Sequence, residues 1–115
     1  MTTTSFELTS VSSGGGESGT ETTVLLHGEV DISNVVDFRD AILAYLDRDP
    51  VVLDMSDVSY FDSAGFAALA HLLERGGLAI VVAPTSQVRR ATSVMNVPVH
   101  DDVGAARKAI AARGG

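Results

Sequence analysis

The chain has no cysteine in its 115 residues. That one absence removes disulfide frameworks, thiol nucleophiles and thiolate metal sites together. Basic residues are few and scattered, eight against fifteen acidic ones, and the net charge is −7. A nucleic-acid binder neutralises phosphates with clustered Lys and Arg, so no direct contact with nucleic acid is expected. The only lysine is Lys108, and the glycine-rich stretch carries none, which excludes a Gly-Lys-Ser or Gly-Lys-Thr phosphate loop. No apolar run approaches the roughly 20 residues needed to span a bilayer. The start, Met1-Thr2-Thr3-Thr4-Ser5, lacks the charged and apolar regions of a signal peptide. The sequence therefore predicts a soluble cytoplasmic protein without membrane insertion. His27, His71 and His100 share no local face, so no metal site and no cofactor are expected.

What is present suggests one domain over 1–115, with 45% hydrophobic residues and a core spanning about 22–112. Consecutive glycines in Ser12 to Gly19 make 12–20 a flexible hairpin tip or linker. Phe6 to Val11 and Thr22 to His27 read as an antiparallel strand pair around it. Ser33 or Asn34 can cap a helix bearing Val35, Phe38, Ile42, Tyr45 and Leu46, which Asp49-Pro50 ends. Val51 to Met55 is apolar without alternation, as in a strand buried on both faces. A short loop then leads to a helix opening at Asp62-Ser63-Ala64-Gly65 and placing Phe66, Leu69, Ala70 and Leu73 on one side, with Gly76-Gly77 closing it. Leu78 to Ala83 reads as a second buried strand. Pro84-Thr85-Ser86 starts a third helix carrying Val88, Ala91, Val94 and Met95, which Asn96 stops. Val97 to Val99 is at best a short edge strand. Asp101-Asp102 caps a last helix with Val103, Ala106 and Ile110. This alternation predicts an α/β fold whose mixed sheet starts antiparallel and continues parallel, with four to five strands and about four helices.

Two positions carry candidate chemistry. Asp54, read at a strand end, matches the phosphoacceptor position of a receiver domain, for which Glu29 and Asp31 could supply the acidic pair. Lys108 lies in the last helix, where the required lysine would not be, and an aspartate accepting backbone hydrogen bonds in the following turn is the plainer reading. Ser63 presents a hydroxyl at a helix start. It can be a cap, with Asp62 competing for that role, or a nucleophile, or a modification site. No Gly-x-Ser-x-Gly surrounds it and no base partner is visible, which disfavours a hydrolase. Ala64-Gly65 leaves the hydroxyl lightly screened.

Gly28-Glu29-Val30-Asp31, followed by Val-Leu-Asp-Met-Ser-Asp-Val-Ser-Tyr-Phe-Asp-Ser-Ala-Gly-Phe at 52–66, resembles the STAS domain of anti-sigma-factor antagonists. The resemblance runs from about residue 22 to 110. It implies a non-enzymatic binding protein in a partner-switching pathway of transcription regulation. The unphosphorylated form binds an anti-sigma factor, a serine kinase of the histidine-kinase-like ATPase type, and so releases the sigma factor. Ser63 maps to the phosphorylated serine, and Asp31 to the acidic loop residue beside it. Partner binding is then expected from Asp31, Asp62, Ser63, Ala64, Gly65 and Phe66, with a phosphatase resetting the switch and the protein monomeric. Ala64 departs from the second Ser or Thr common at that position. The same resemblance leaves room for an accessory or scaffold subunit of a transporter or sensor complex.

Overall fold

The computed structural model describes residues 5–13 and 20–114. The glycine-rich segment read as flexible lies outside them over 14–19, while Ser12 and Ser13 belong to the first strand. Four strands form one sheet in the order β1 (Phe6–Ser13), β2 (Glu21–Val30), β3 (Val51–Phe61), β4 (Leu78–Val81). The β1/β2 pair is antiparallel, from Phe6 opposite Gly28 to Ser13 opposite Glu21, and the β2/β3 and β3/β4 pairs are parallel. This is the mixed α/β sheet that the alternation of segments predicts.

The apolar runs of β3 and β4 exist because both faces of these strands are covered. Helices α1 (Val35–Leu46) and α2 (Ser63–Arg75) are the crossovers of the two parallel units, and right-handed connections put both on the same face. There Phe38, Ile42, Phe66, Leu69 and Leu72 share one core with Leu53, Met55, Leu78 and Ile80. The intervening residues Val52, Ala79 and Val81 point the other way, onto Ala106 and Ile110 of α4 (Val103–Gly114). Asp102 caps that helix, its Oδ1 accepting from the Ala105 N–H at 2.8 Å. Fully burying side chains of this size stabilises by about 1.5–3 kcal/mol each.

Several boundaries differ from those read in the sequence. β3 does not stop at Met55 but runs to Phe61, so the expected loop over 56–61 is strand. Two register shifts against β2, between Leu25 and His27 and between Gly28 and Glu29, absorb the extra residues. β2 likewise continues through Gly28-Glu29-Val30. Gly28 is at φ +98°, and a Cβ there would lie 2.5 Å from the Ser5 carbonyl oxygen, so glycine lets β1 close on the bulge. The third helix, α3 (Arg89–Val94), starts at Arg89 rather than at Pro84. The cause is Ser86, whose hydroxyl donates to the Ser56 carbonyl and holds the preceding residues in a turn. Val94 and Met95 are 71% and 47% exposed, not core, and Ala70 faces solvent. Val97 to Val99 forms no strand. Among the described residues of this segment only His100 bridges to the sheet, at Val81, the last residue of β4.

Candidate functional site

The parallel pairing of β2 and β3 ends with Val30 opposite Phe61. The next residue of each strand is an aspartate, so the register delivers Asp31 and Asp62 side by side at one end of the sheet. The Asp62 N–H donates to the Val30 carbonyl at 3.2 Å and ties the two exits together. Asp62 is in extended backbone (φ −95°, ψ −174°) and is the N-cap of α2, its Oδ1 accepting from the Gly65 N–H at 3.1 Å. This resolves which residue is the cap. Ser63 is the first helical residue, is exposed, and its hydroxyl has no hydrogen-bond partner among the described residues. A helix start also leaves backbone N–H groups without intrahelical acceptors, which favours negative charge at this position.

Gly65 is fixed by what lies under it. A Cβ there would meet Cε2 of Phe61 at 2.7 Å. The Phe61 ring continues a series of edge-on contacts, Phe6 to Phe38 at 6.0 Å, Phe38 to Phe61 at 5.7 Å and Phe61 to Phe66 at 5.0 Å. Phe66 is consequently only 5% exposed. It does not project to fill a partner's groove, although the resemblance counts it among the partner-binding residues. It instead floors a hollow of about 250 Å³ beside Ser63, walled by Leu73, Met95, Val97 and Pro98. Ala64 is half-buried on the opposite flank of α2, where a hollow of about 300 Å³ separates α2 from α1.

The Asp31 turn is built by Asn34. This nearly buried side chain accepts from the Asp31 N–H at 2.9 Å through Oδ1 and donates to the Glu29 carbonyl at 2.9 Å through Nδ2. Asp31 Oδ1 in turn accepts from the Ser33 N–H and hydroxyl at 2.8 and 2.5 Å. The expectation that Ser33 or Asn34 caps α1 is therefore met only in position. Asn34 occupies the N-cap without capping through its side chain, because both ends of its amide serve the turn. Between them, Ile32 is held 77% exposed, and Val36 one turn on is 53% exposed. Neither was singled out in the sequence, although an isoleucine directly after a strand-ending aspartate was the available signal.

The other candidates separate from this region. Asp54 sits in mid-strand opposite Leu25 and Val81, not at a strand end, and its Oδ1 accepts from the Ser56 N–H at 3.0 Å. Six residues of strand separate the rung of Asp54 from Asp31, about 20 Å at the usual rise, so the acidic pair of a receiver does not form around it. Lys108 is an exposed residue of α4. The largest hollow described, about 430 Å³ along Ser56 to Ser59 and Ala83 to Gln87, is a joint between β3 and the turn after β4. There Ser56 Oγ accepts from the Ala83 N–H at 2.9 Å and Ser59 Oγ donates to the Gly28 carbonyl at 3.1 Å. The three histidines are dispersed over β2, α2 and the segment before α4. Among the described residues no three His, Asp or Glu side chains cluster as a metal site, and no helix is long and apolar enough to cross a membrane.

Comparison with known proteins gives the following. No curated protein matches the sequence significantly. A crystal structure of an anti-sigma factor antagonist from Mycobacterium paratuberculosis is 24% identical, with a TM-score of 0.70 over 90% of this chain and 94% of that one. A second, an antisigma-factor antagonist STAS domain from Rhodobacter sphaeroides, is also 24% identical, with a TM-score of 0.46 over 64% of this chain and 82% of that one. The first shares the fold. The family model described as "Mlab, STAS domain" matches residues 14–98, the stretch holding the parallel strands β2, β3 and β4, the two crossover helices α1 and α2, and the Asp31, Asp62 and Ser63 positions. This chain belongs to the STAS domain family.

Proposed function

We propose that the protein is an anti-sigma-factor antagonist whose Ser63 surface binds an anti-sigma factor, freeing the sigma factor, until phosphate on Ser63 ends the contact. The observation that carries this reading is the division of labour at the start of α2. Asp62 makes the capping bond, and the exposed Ser63 hydroxyl beside it has no structural partner. A serine needed for the fold would be engaged. This one is available to a kinase and to a docking partner.

Charge explains how the switch works. A phosphate adds about −1.5 to −2 charges at neutral pH, here next to Asp31 and Asp62. An interface fitted to a neutral hydroxyl then faces a dense anionic patch, and like-charge juxtaposition in an interface costs several kcal/mol. Within the free protein the helix N-terminus offsets part of the repulsion, by about 0.3–1 kcal/mol for an exposed charge. The modified protein therefore stays folded while binding is lost. None of this requires catalysis by the protein itself, and the kinase is the partner, with a phosphatase restoring the hydroxyl. The structural neighbour that shares the fold carries the description anti-sigma factor antagonist, which supports this partner class.

The test is phosphorylation of the purified protein by a candidate anti-sigma kinase with ATP. Acid-stable phosphate mapped to Ser63, and none on Ser63→Ala, is the expected result. Phosphate at Ser59, Thr85 or Asp54 would relocate the switch. Permanent association with a membrane complex, unaffected by Ser63→Asp, would favour the accessory-subunit role instead.

A further inference from the structure

We infer that Ile32 and Val36, in the groove between α1 and α2, are the apolar anchors that receive the partner protein, and that the occupant is a basic segment carrying an apolar side chain. The inference rests on the reading of Ser63 as the switch and adds to it the residues that hold the partner.

Geometry is the first support. Ile32 and Val36 line a hollow of about 300 Å³ whose floor is Ala64, Ala67 and Ala68. Ala64 follows Ser63 directly, so the groove is continuous with the proposed switch. Most exposed aliphatic side chains are unremarkable singly. Ile32 differs because its backbone is fixed by the two bonds of the buried Asn34 amide on either side of the turn. Those bonds hold an isoleucine outward at 77% exposure on a stiff support. A preorganised apolar side chain loses little freedom when a partner covers it, which is the property of an interface anchor.

Charge selects the occupant. Acidic groups stand at the Ser63 end as Asp31 and Asp62, and Asp37, Asp40 and Glu74 are exposed elsewhere on the two helices, while the groove's own lining carries Arg39 and His71. The one arginine in the groove, Arg39, already pairs with Asp40 at 3.2 Å. In a chain of net charge −7, a second copy seated here would bring further acid to Asp31 and Asp62, whereas a basic segment complements these two carboxylates at the end of the groove. The same arrangement accounts for the effect of phosphate at the end of the groove, since it acts on a partner whose basic residues are already placed against Asp31 and Asp62.

The experiment uses steady-state phosphorylation of the full chain by the anti-sigma kinase that modifies Ser63. It compares the wild type with Ile32→Ser, Ile32→Ala and Val36→Ser, and with Val11→Ser as an equally exposed valine on β1. We expect KM to rise about tenfold for Ile32→Ser, less for Ile32→Ala, with kcat unchanged, since such a change removes binding shared by ground and transition states. Val11→Ser should match the wild type, and all thermal midpoints should stay in place. Affinity should also fall as salt is added. An unaltered KM in the Ile32 and Val36 variants, with wild-type Ser63 still phosphorylated, would overturn the anchors and leave the switch standing. Salt-independent affinity would overturn the basic occupant. Failure of the kinase to bind or modify the wild type would remove both together.

Discussion

Replacing Asp62 and Ser63 one at a time separates the side chain that caps α2 from the hydroxyl proposed as the switch. In Asp62→Ala the acceptor 3.1 Å from the Gly65 N–H disappears, and no neighbouring side chain is placed to replace it, because the Ser63 hydroxyl is already on the helix. Loss of an N-cap of this kind costs about 1 kcal/mol, within a range of 0.5–2. For a chain of 115 residues the unfolding entropy near the midpoint is about 0.24 kcal/mol/K, so the midpoint should fall by about 4 °C. Asp62→Asn retains an acceptor of equal capping strength and should stay within about 1 °C of the wild type. Ser63→Ala removes a hydroxyl bonded to nothing described and should be equally neutral. Calorimetry or circular dichroism melts of the four proteins provide the assay. A drop for Ser63→Ala as large as that for Asp62→Ala would refute the reasoning, because Ser63 would then be a cap.

Other consequences follow from packing and from the turn. Gly65→Ala forces a methyl against the Phe61 ring and should destabilise by about 1–3 kcal/mol in urea melts. Asn34→Ala leaves the Asp31 N–H and Glu29 carbonyl without their amide partner, so a loss of about 1–3 kcal/mol is expected, together with faster hydrogen exchange at Asp31. Asp54→Asn keeps an oxygen for the Ser56 N–H and should leave both stability and phosphate incorporation unchanged. Loss of phosphate in that variant would revive the receiver reading.

Much of the architecture was legible because its causes are local. Val51 to Leu53 and Leu78 to Val81 are apolar at every position since helices cover both faces, and that pattern is visible in the chain. The helical spacing of Phe38, Ile42 and Leu46 was equally plain. The second half of β3 was not. Ser56, Asp57 and Ser59 have the composition of a loop, and the strand conformation of this stretch comes from pairing with β2 through two register shifts that one segment cannot reveal. Helix α3 begins late because of a serine bonded to a carbonyl 30 residues away.

At the site, Ser63 and Asp62 are legible as competitors for one helix start, whereas Asp31 is marked only by the family resemblance. Their adjacency depends on the Val30 and Phe61 pairing. The place of Phe66 is not legible in the sequence, because an aromatic after a helix start has the same appearance whether it projects or packs. Only the stacked rings of Phe38 and Phe61 decide it. The exposure of Ile32 is equally invisible in the sequence, since it results from the hydrogen bonds of Asn34.

The most direct measurement is calorimetric titration of the cognate anti-sigma factor with the unmodified protein and with protein fully phosphorylated at Ser63. The unmodified form should bind, and the phosphorylated form, equally folded by circular dichroism, should bind at least about 100-fold more weakly, in keeping with several kcal/mol of like-charge repulsion. Equal affinity of the two forms would contradict the role of Ser63 as the switch.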